Sequence, residues 1–317
     1  MVTLGYDHHL YILAFDHRGS LQKGLLGLAG DPTPEEAARI SDVKAVIYDG
    51  FHAAIAAGVT PREAAILVDE QFGAPIAHAA AARNEVFAMT VEKSGGDELA
   101  FEYGDDFGAH LETFNPPFAK VLVRYNPDGD AALNARQAAL LKMLAEWLHD
   151  HGRKLLLEVV IPPTSAQLVA VDGTTHRYDA EVRPELTLRT IAALHNAGVE
   201  TDVWKIEGLD RREDCERVGT LIRSGEHRRQ VGCVVLGRGA SAARVDHWLR
   251  QAAGVPGYIG FAIGRTLWWD AIKEYLAGSL NRAGAVAQIA AAYHRAIDVY
   301  SAAANGLTLD GEKKESA

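Results

Sequence analysis

Eight short apolar runs, separated by longer amphipathic segments, constrain the fold of this sequence most strongly. Each has the length of a β-strand, and most are rich in Val, Ile and Leu, as strands buried on both faces are. The runs cover residues 10–15, 65–69, 85–91, 120–125, 154–160, 202–206, 231–236 and 258–263. Strands that alternate with helices pair in parallel through right-handed crossovers. We therefore predict an α/β fold, a single-domain (β/α)8 TIM barrel.

The segments between these runs carry helix signals. Leucine periodicity predicts a helix over residues 131–151. Thr33 before Pro34 is typical of a helix start, and Gly198 is typical of a helix end. Between residues 91 and 120 no strong helical face appears, so we expect a long loop with a short helix there.

An open, doubly wound sheet is the alternative fold for the same alternation of strands and helices. That fold often has a glycine-rich nucleotide-binding turn after its first strand, whereas this chain continues with HRGSLQKG. The barrel domain is predicted to span residues 1–304, and the polar segment 305–317 is expected to be a frayed tail.

The composition narrows the classes of function. The chain has 317 residues, a formal net charge of −10 and no long basic run, which argues against nucleic acid or an anionic membrane as its main partner. It contains neither a secretion signal nor a membrane-spanning apolar stretch. The cysteines, Cys215 and Cys233, lack metal-ligand or redox spacing. We expect a cytoplasmic protein.

Charged residues collect where the predicted strands end, which is where barrels carry their active sites. They are Asp16, Asp69, Glu70, Arg124, Glu158, Lys205, Glu207, Arg238 and Arg265. Alternate residues of a strand share a face, so Glu158 lies with Leu156, and Lys205 lies with Val203. A lysine in the middle of a buried strand is costly unless it is paired or functional.

Two interpretations of Lys205 and Glu158 stay open at this point. They could form a structural salt bridge, or Lys205 could extend outward between helices. On neighbouring strands they would also form a catalytic pair, because a desolvated lysine amine becomes a nucleophile toward a carbonyl group. Imine formation and carbon–carbon cleavage need a proton shuttle, which a nearby carboxyl group supplies.

Two glycine-containing segments, after the seventh and eighth strands, predict an anion site. LGRGAS contains Gly237, Arg238 and Gly239, and AIGRT contains Gly264 and Arg265. Glycine lets the backbone approach a ligand closely, and amides at a helix start bind phosphate together with a guanidinium group. Barrels commonly bind phosphate at these two loops.

Metal and serine chemistry have weaker support in the sequence. His8, His9 and His151 lie near the ends of elements without a matching third ligand, and the first two precede the first strand. The chain has no GxSxG elbow for a serine nucleophile. We predict no metal and no cofactor.

Six segments occur in an order that identifies a family resemblance: LAFDHRGSL, ILVDEQFGAPIA, AKVLVRYNPDGD, LLLEVVIPPT, DVWKIEG and GFAIGRTLWWD. The chain resembles class I aldolases of the tagatose-bisphosphate aldolase type between about Leu10 and Tyr300. The resemblance is closer to a branch often fused behind the sugar kinase of bacterial myo-inositol catabolism, which looks like 2-deoxy-5-keto-gluconate 6-phosphate aldolase. It implies cleavage to dihydroxyacetone phosphate and malonate semialdehyde.

The resemblance also implies residue roles. Lys205 in WKIEG corresponds to the imine-forming lysine, and Glu158 in LLLEVV corresponds to the acid/base carboxylate. Lys120 and Asp16 correspond to the polar residues of the fourth and first strands. Arg265 corresponds to a phosphate-binding arginine.

Two positions depart from the tagatose-type pattern. Arg124 replaces a tyrosine, and a serine is expected near Gly237. Arg124 would suit a second anionic group such as a carboxylate, and Arg238 would compensate for the missing serine. Cleavage of tagatose 1,6-bisphosphate or of a sulfonated sugar phosphate therefore stays open, as does a non-catalytic sugar-phosphate sensor.

One region is a candidate for contact between copies of the chain. Trp268, Trp269 and the alanine-rich segment 285–304 would suit either a homo-oligomer interface or a helix packed on the barrel. In both cases the expected partner of the site is a small sugar phosphate.

Overall fold

The computed structural model describes residues 4–306 and confirms the predicted single-domain barrel. Eight parallel strands close in sequence order, with the last strand paired to the first. The strands are β1 (Leu10–Ala14), β2 (Ala64–Val68), β3 (Val86–Thr90), β4 (Phe118–Arg124), β5 (Lys154–Val160), β6 (Val203–Glu207), β7 (Gly232–Leu236) and β8 (Tyr258–Ile263). β5 and β8 have the predicted bounds, and the others differ by one or two residues at one or both ends.

Helices follow the strands and surround the barrel. The α-helices of the described chain are α1 (Gly19–Gly24), α2 (Pro34–Ala56), α3 (Glu70–Ala82), α4 (Phe107–Phe114), α5 (Ala131–Asp150), α6 (Ser165–Ala170), α7 (Thr175–Arg177), α8 (Arg183–Asn196), α9 (Arg212–Ile222), α10 (Ala242–Ala252), α11 (Arg265–Leu276) and α12 (Arg282–Ala304). The predicted helix signals are confirmed. Thr33 and Glu36 form a capping box at the start of α2, and Gly198 follows α8 with a φ of 79°.

The third unit has the predicted long loop with a short helix. After β3 the chain forms one antiparallel bridge between Glu92 and Phe101. A single 3-10 turn at Gly104–Asp106 then leads into the eight residues of α4. Because this loop starts at the carboxyl end of β3, it lies beside the mouth of the barrel.

The barrel interior is filled by the inward face of each strand, as alternation along a strand requires. These buried residues are Leu10, Ile12, Ala14, Ala65, Leu67, Ala88, Phe118, Leu156, Val203, Val234, Ile259 and Ala262. The outward face of the strands packs with the helices in a larger apolar layer. Leu156 and Val203 point inward, so Glu158 and Lys205 follow them on the inward face, one layer nearer the mouth.

Three further predictions concern the periphery. Trp268 is fully buried and donates from its indole nitrogen to the carbonyl of Ala14 at 2.9 Å, so it packs within the chain. The homo-oligomer stays a prediction. In the described part of the chain, no helix has the length and apolar character needed to cross a membrane. Most of the predicted frayed tail, residues 307–317, lies outside the described residues.

Candidate active site

A cavity of about 830 Å³ opens at the carboxyl ends of the strands. Every residue predicted to act in catalysis or to bind substrate lines it: Asp16, Lys120, Arg124, Glu158, Lys205, Gly237, Arg238, Gly239, Gly264 and Arg265. Three other charged residues at strand ends, Asp69, Glu70 and Glu207, do not line it. Within residues 4–306, no cluster of three or more His, Cys, Asp or Glu side chains could hold a metal ion.

The centre of the cavity holds two buried lysines around one carboxylate. Nζ of Lys205 donates to Oε2 of Glu158 at 2.9 Å, and Nζ of Lys120 lies 2.9 Å from the same oxygen. Lys205 is 3% exposed, Lys120 2% and Glu158 6%. β5 lies between β4 and β6, and parallel pairing places Glu158 directly beside Lys205. Lys120 pairs with Leu156, two residues before Glu158, and its long side chain reaches the Glu158 carboxylate.

Lys120 is surrounded by carboxylates. Besides Glu158, its amine contacts Oδ2 of Asp16 at 2.9 Å and Oε1 of Glu92 at 2.7 Å. Burial opposes the charge of Lys120, but the attraction of Asp16, Glu158 and Glu92 outweighs it and raises the Lys120 pKa well above its usual value. Lys120 is therefore a permanent cation in the site.

The carboxylates differ in their proton affinity. Burial by itself would raise the pKa of Asp16, but the charges of Lys120 and Lys205 hold it well below its usual value. The same balance of burial against the two lysines lowers the pKa of Glu158. For Glu92 burial prevails over the cations of Lys120 and Arg18, and its pKa is raised. Asp16 and Glu158 are thus anions, and Glu92 is the carboxyl group that most readily holds a proton.

Glu92 and Arg18 belong to the site but were not predicted from the sequence. Both line the cavity. Arg18 donates to the carbonyl of Glu92 at 2.8 Å and to the carboxylate of Glu102 at 2.9 Å. Oε2 of Glu92 is buried without a hydrogen-bond partner in the described structure. The available signal was the position of Glu92 directly after the third strand, in a loop that offers no other pattern.

His17 is a second residue that sequence reasoning missed. It follows Asp16 at the end of β1, and its ring packs edge-on against Trp268 with centroids 5.3 Å apart. Its Nδ1 lies 3.8 Å from Oδ1 of Asp16. Burial is the main cause that lowers the His17 pKa to about 4, and the nearby cation of Arg265 adds to it. The ring is therefore neutral at physiological pH.

A fully buried ion pair lies beside the segment that follows β1. Lys44 on α2 pairs with Asp69, and both side chains are fully buried. The same amine donates to the carbonyl of Phe15 at 2.5 Å and to that of His17 at 3.1 Å. Lys44 thereby fixes the segment that carries Asp16 and His17.

The predicted anion loops come together beside β1. Arg265 begins α11, and its Nη2 donates to the carbonyl of Arg238 at 3.2 Å. Its Nε is buried without a partner in the described structure. A Cβ on Gly239 would lie only 2.7–2.9 Å from the Arg265 guanidinium group, and one on Gly264 would lie 2.6 Å from both His17 and Ala14. Close contact with the Ala14 backbone thus requires glycine at position 264, and a φ of 71° favours it at position 239.

The two other arginines of the site are held differently. Arg238 contacts the carboxylates of Asp179 and Glu207, each at 2.9 Å, although it also lines the cavity. Arg124, at the end of β4, donates to the carbonyl of Gly96 at 2.8 Å. In the closed order of eight strands β4 lies opposite β8, so Arg124 and Arg265 lie on opposite sides of the mouth.

The fold and the buried lysine–carboxylate cluster define a (β/α)8 barrel with a charged cavity at the carboxyl ends of its strands. The chain belongs to the family DUF2090, described as an uncharacterized protein conserved in bacteria, whose sequence model matches residues 5–304. It is similar to tagatose 1,6-diphosphate aldolase 2 of Enterococcus faecalis, with 23% identity over 283 residues that cover 83% of this chain and 80% of the relative.

Two solved structures share the fold. Fructose-bisphosphate aldolase from Plasmodium falciparum, in complex with TRAP and a small-molecule inhibitor, has a TM-score of 0.59 and 14% identity and covers 95% of this chain and 92% of that one. Cgl0159 from Corynebacterium glutamicum has a TM-score of 0.56 and 18% identity, with 92% and 88% covered. At these identities the likeness shows the fold alone.

Proposed function

We propose that this protein is a class I aldolase in which Lys205 forms a Schiff base with the ketone of a sugar phosphate. The observation that carries the proposal is the unequal environment of its two buried lysines. Lys120 contacts three carboxylates and stays charged, whereas Lys205 contacts only Glu158 in the described structure. A lysine attacks a carbonyl through the lone pair of its neutral amine, and Glu158 lies within reach of the proton that the Lys205 amine must give up.

The contacts support a role for each polar group in such a reaction. Lys205 adds to the ketone, and Glu158, at 2.9 Å, moves the protons that let water leave. The resulting protonated imine draws electrons from the bond between its α and β carbons. This bond breaks as the hydroxyl group on the β carbon loses its proton, and the β-carbon fragment leaves as an aldehyde. Asp16 and Lys120 orient the hydroxyl groups. Protonation of the enamine and hydrolysis of the imine then release the ketone product.

The cavity suits a substrate with an anionic group at each end. Arg265 and the two glycine loops lie on one side of the mouth, and Arg124 lies on the other, with Lys205 between them on β6. 2-Deoxy-5-keto-gluconate 6-phosphate has this form, with a phosphate beside the C5 ketone and a carboxylate at C1. Attack at C5 and cleavage between C3 and C4 would give dihydroxyacetone phosphate and malonate semialdehyde, a step in inositol catabolism. Tagatose 1,6-bisphosphate carries two phosphates and is the closest competitor.

Borohydride trapping tests the Schiff base directly. The full-length protein is incubated with dihydroxyacetone phosphate, reduced with borohydride and digested, and the modified peptide is sequenced by mass spectrometry. We expect one reduced adduct, on Lys205, and none in the Lys205→Met variant. The same variant should lose essentially all cleavage activity. An adduct on Lys120, or an unmodified protein that still cleaves substrate, would remove Lys205 from this role.

A substrate panel then separates the candidate reactions. We expect kcat/KM to be highest for the keto-sugar acid phosphate, and Arg124→Tyr to lower it while favouring tagatose 1,6-bisphosphate. Calorimetric binding of every sugar phosphate without turnover of any would instead indicate a sensor. Equal turnover of acid and bisphosphate would mean that Arg124 does not select the second anionic group.

A further inference from the structure

The loop after β7 is a tight turn with an unusual residue at its first central position. The amide of Ala240 donates to the carbonyl of Gly237 at 2.9 Å, and the two residues between them, Arg238 and Gly239, have φ values of 54° and 71°. Two successive positive φ values define a type I′ turn, which favours Gly, Asn or Asp. An arginine there needs contacts that hold it in this conformation.

The side chain of Arg238 makes those contacts. Its Nη1 donates to both carboxylate oxygens of Asp179, at 2.9 and 3.0 Å, and its Nε lies 2.9 Å from Oε1 of Glu207. Glu207 is buried at the end of β6, and its other oxygen accepts from the amide of Ile161 at 3.1 Å. Asp179 also accepts from Nε of Arg183 at 3.0 Å. Both carboxylates are therefore also held by contacts that do not involve Arg238.

The backbone of Arg238 in turn holds Arg265. The Arg238 carbonyl accepts from Nη2 of Arg265, and Gly239 leaves the space in which the guanidinium group lies. Nε of Arg265 is buried without a partner in the described structure. Arg238, in contrast, pairs with the carboxylates of Asp179 and Glu207. The positive charge of Arg238 is neutralised, and that of Arg265 is available to an anion.

We propose that Arg238 is a positioning residue that shapes the phosphate site and does not bind phosphate itself. Its salt bridges to Asp179 and Glu207 hold the turn, and the turn orients Arg265 and the loop amides toward the anion. The inference rests on the proposed function only in taking phosphate as the ligand of these loops. It assigns a part in phosphate affinity to Asp179, in the connection before α8, although Asp179 does not line the cavity.

Phosphate binding to Asp179→Asn distinguishes positioning from direct contact. The dissociation constant of inorganic phosphate is measured by calorimetry on the full-length protein, with the thermal midpoint as a check of folding. If Arg238 positions the site, Asp179→Asn and Arg238→Met both weaken binding by about tenfold, the usual effect of losing a charged hydrogen bond. The double variant should then be no worse than either single one. If Arg238 is a phosphate ligand, Asp179→Asn frees it, and unchanged or tighter binding overturns the proposal.

Two substitutions at position 238 test whether phosphate affinity depends on the conformation of the turn. Arg238→Gly and Arg238→Ala remove the same charge, but only glycine adopts a positive φ readily. We expect Arg238→Gly to retain more phosphate affinity than Arg238→Ala, and equal losses would overturn the positioning role. Arg265→Met should abolish phosphate binding, because Arg265 is the cation that Arg238 is proposed to position. Retained binding would contradict the proposal.

The kinetic constants of Arg238→Met provide a second test of the positioning role. Arg238→Met should raise KM for the phosphorylated substrate, yet at saturating dihydroxyacetone phosphate Lys205 should still be trapped by borohydride. A fall in kcat at unchanged KM would contradict positioning of the phosphate site. Phosphate binding is measured without imine formation, so wild-type protein that binds phosphate but yields no adduct on Lys205 would refute only the proposed function.

Discussion

The amines of Lys120 and Lys205 lie at the same distance, 2.9 Å, from one oxygen of Glu158. They differ in their other partners, because Lys120 also contacts Asp16 and Glu92. Glu158 thus pairs both with Lys120, which stays charged, and with Lys205, which we propose as the nucleophile. The stability of the fold should depend on the two lysines to very different degrees.

Replacing Lys120 should destabilise the protein much more than replacing Lys205. Lys120→Met leaves three buried carboxylates without their shared cation, and an uncompensated buried charge costs about 3–5 kcal/mol of unfolding free energy. Lys205→Met leaves Glu158 paired with Lys120, so its cost should be less than half as large. Urea denaturation of both variants measures the difference. The added substitution Glu92→Gln should recover part of the loss in Lys120→Met, and equal losses in the two lysine variants would contradict this account.

The buried pair of Lys44 and Asp69 should also be essential to the fold. Lys44→Met leaves the fully buried Asp69 without its cation and removes the donor to two backbone carbonyls, at a cost of about 3–5 kcal/mol. Lys142→Met is the matched control, because its exposed pair with Glu146 contributes about 0–1 kcal/mol. Chemical denaturation compares them, and a Lys44→Met variant as stable as the control would show that the pair is dispensable.

Stability should fall in mildly acidic solution because His17 resists protonation in the folded chain. Burial, then the cations of Arg265 and Lys44, lower its pKa from 6.5 to about 4, although Asp16 opposes the shift. Between these pH values the unfolded chain binds a proton that the folded chain excludes, so the free energy of unfolding decreases as the pH falls from 6.5 to about 4. His17→Gln should flatten this part of the stability profile.

His195 provides the control for that experiment. Burial, and then the charge of Arg228, lower its pKa to about 4 as well, but it does not line the cavity. His195→Gln should flatten the same part of the profile and leave cleavage activity unchanged, whereas His17→Gln should affect both. An unaltered pH slope in His17→Gln would mean that the ring is protonated in the folded protein.

Gly264 should not tolerate a side chain. A Cβ there would lie 2.6 Å from the carbonyl of Ala14 and from the His17 ring, so Gly264→Ala must displace the start of α11 with Arg265. Overpacking of this kind costs about 1–3 kcal/mol, and phosphate affinity should fall with it. At Gly19 a Cβ would lie 3.9 Å from Ser94, and Gly19→Ala is the control. Thermal unfolding and phosphate calorimetry together measure both effects.

Much of the fold and of the site centre followed from periodic features of the sequence. Eight apolar runs with intervening helices specified the barrel, because strands buried on both faces have few other arrangements. The alternation of side chains along a strand set Glu158 on the face of Leu156 and Lys205 on the face of Val203. The structure then showed that both faces point inward and that the two residues are register partners. Strand alternation and helix periodicity repeat over two or a few residues, so a short stretch of sequence is enough to recognise them.

The remaining contacts depended on the tertiary structure. Glu92 reaches Lys120 from a loop without periodicity, and Arg238 meets Asp179, 59 residues away in the chain, only where two connections converge. The sequence suggested that Arg238 binds phosphate, since a guanidinium group next to glycines is typical of such sites. Whether a cation is free or already neutralised depends on which acids the folded chain brings beside it, and electrostatic interactions act through space regardless of separation along the chain.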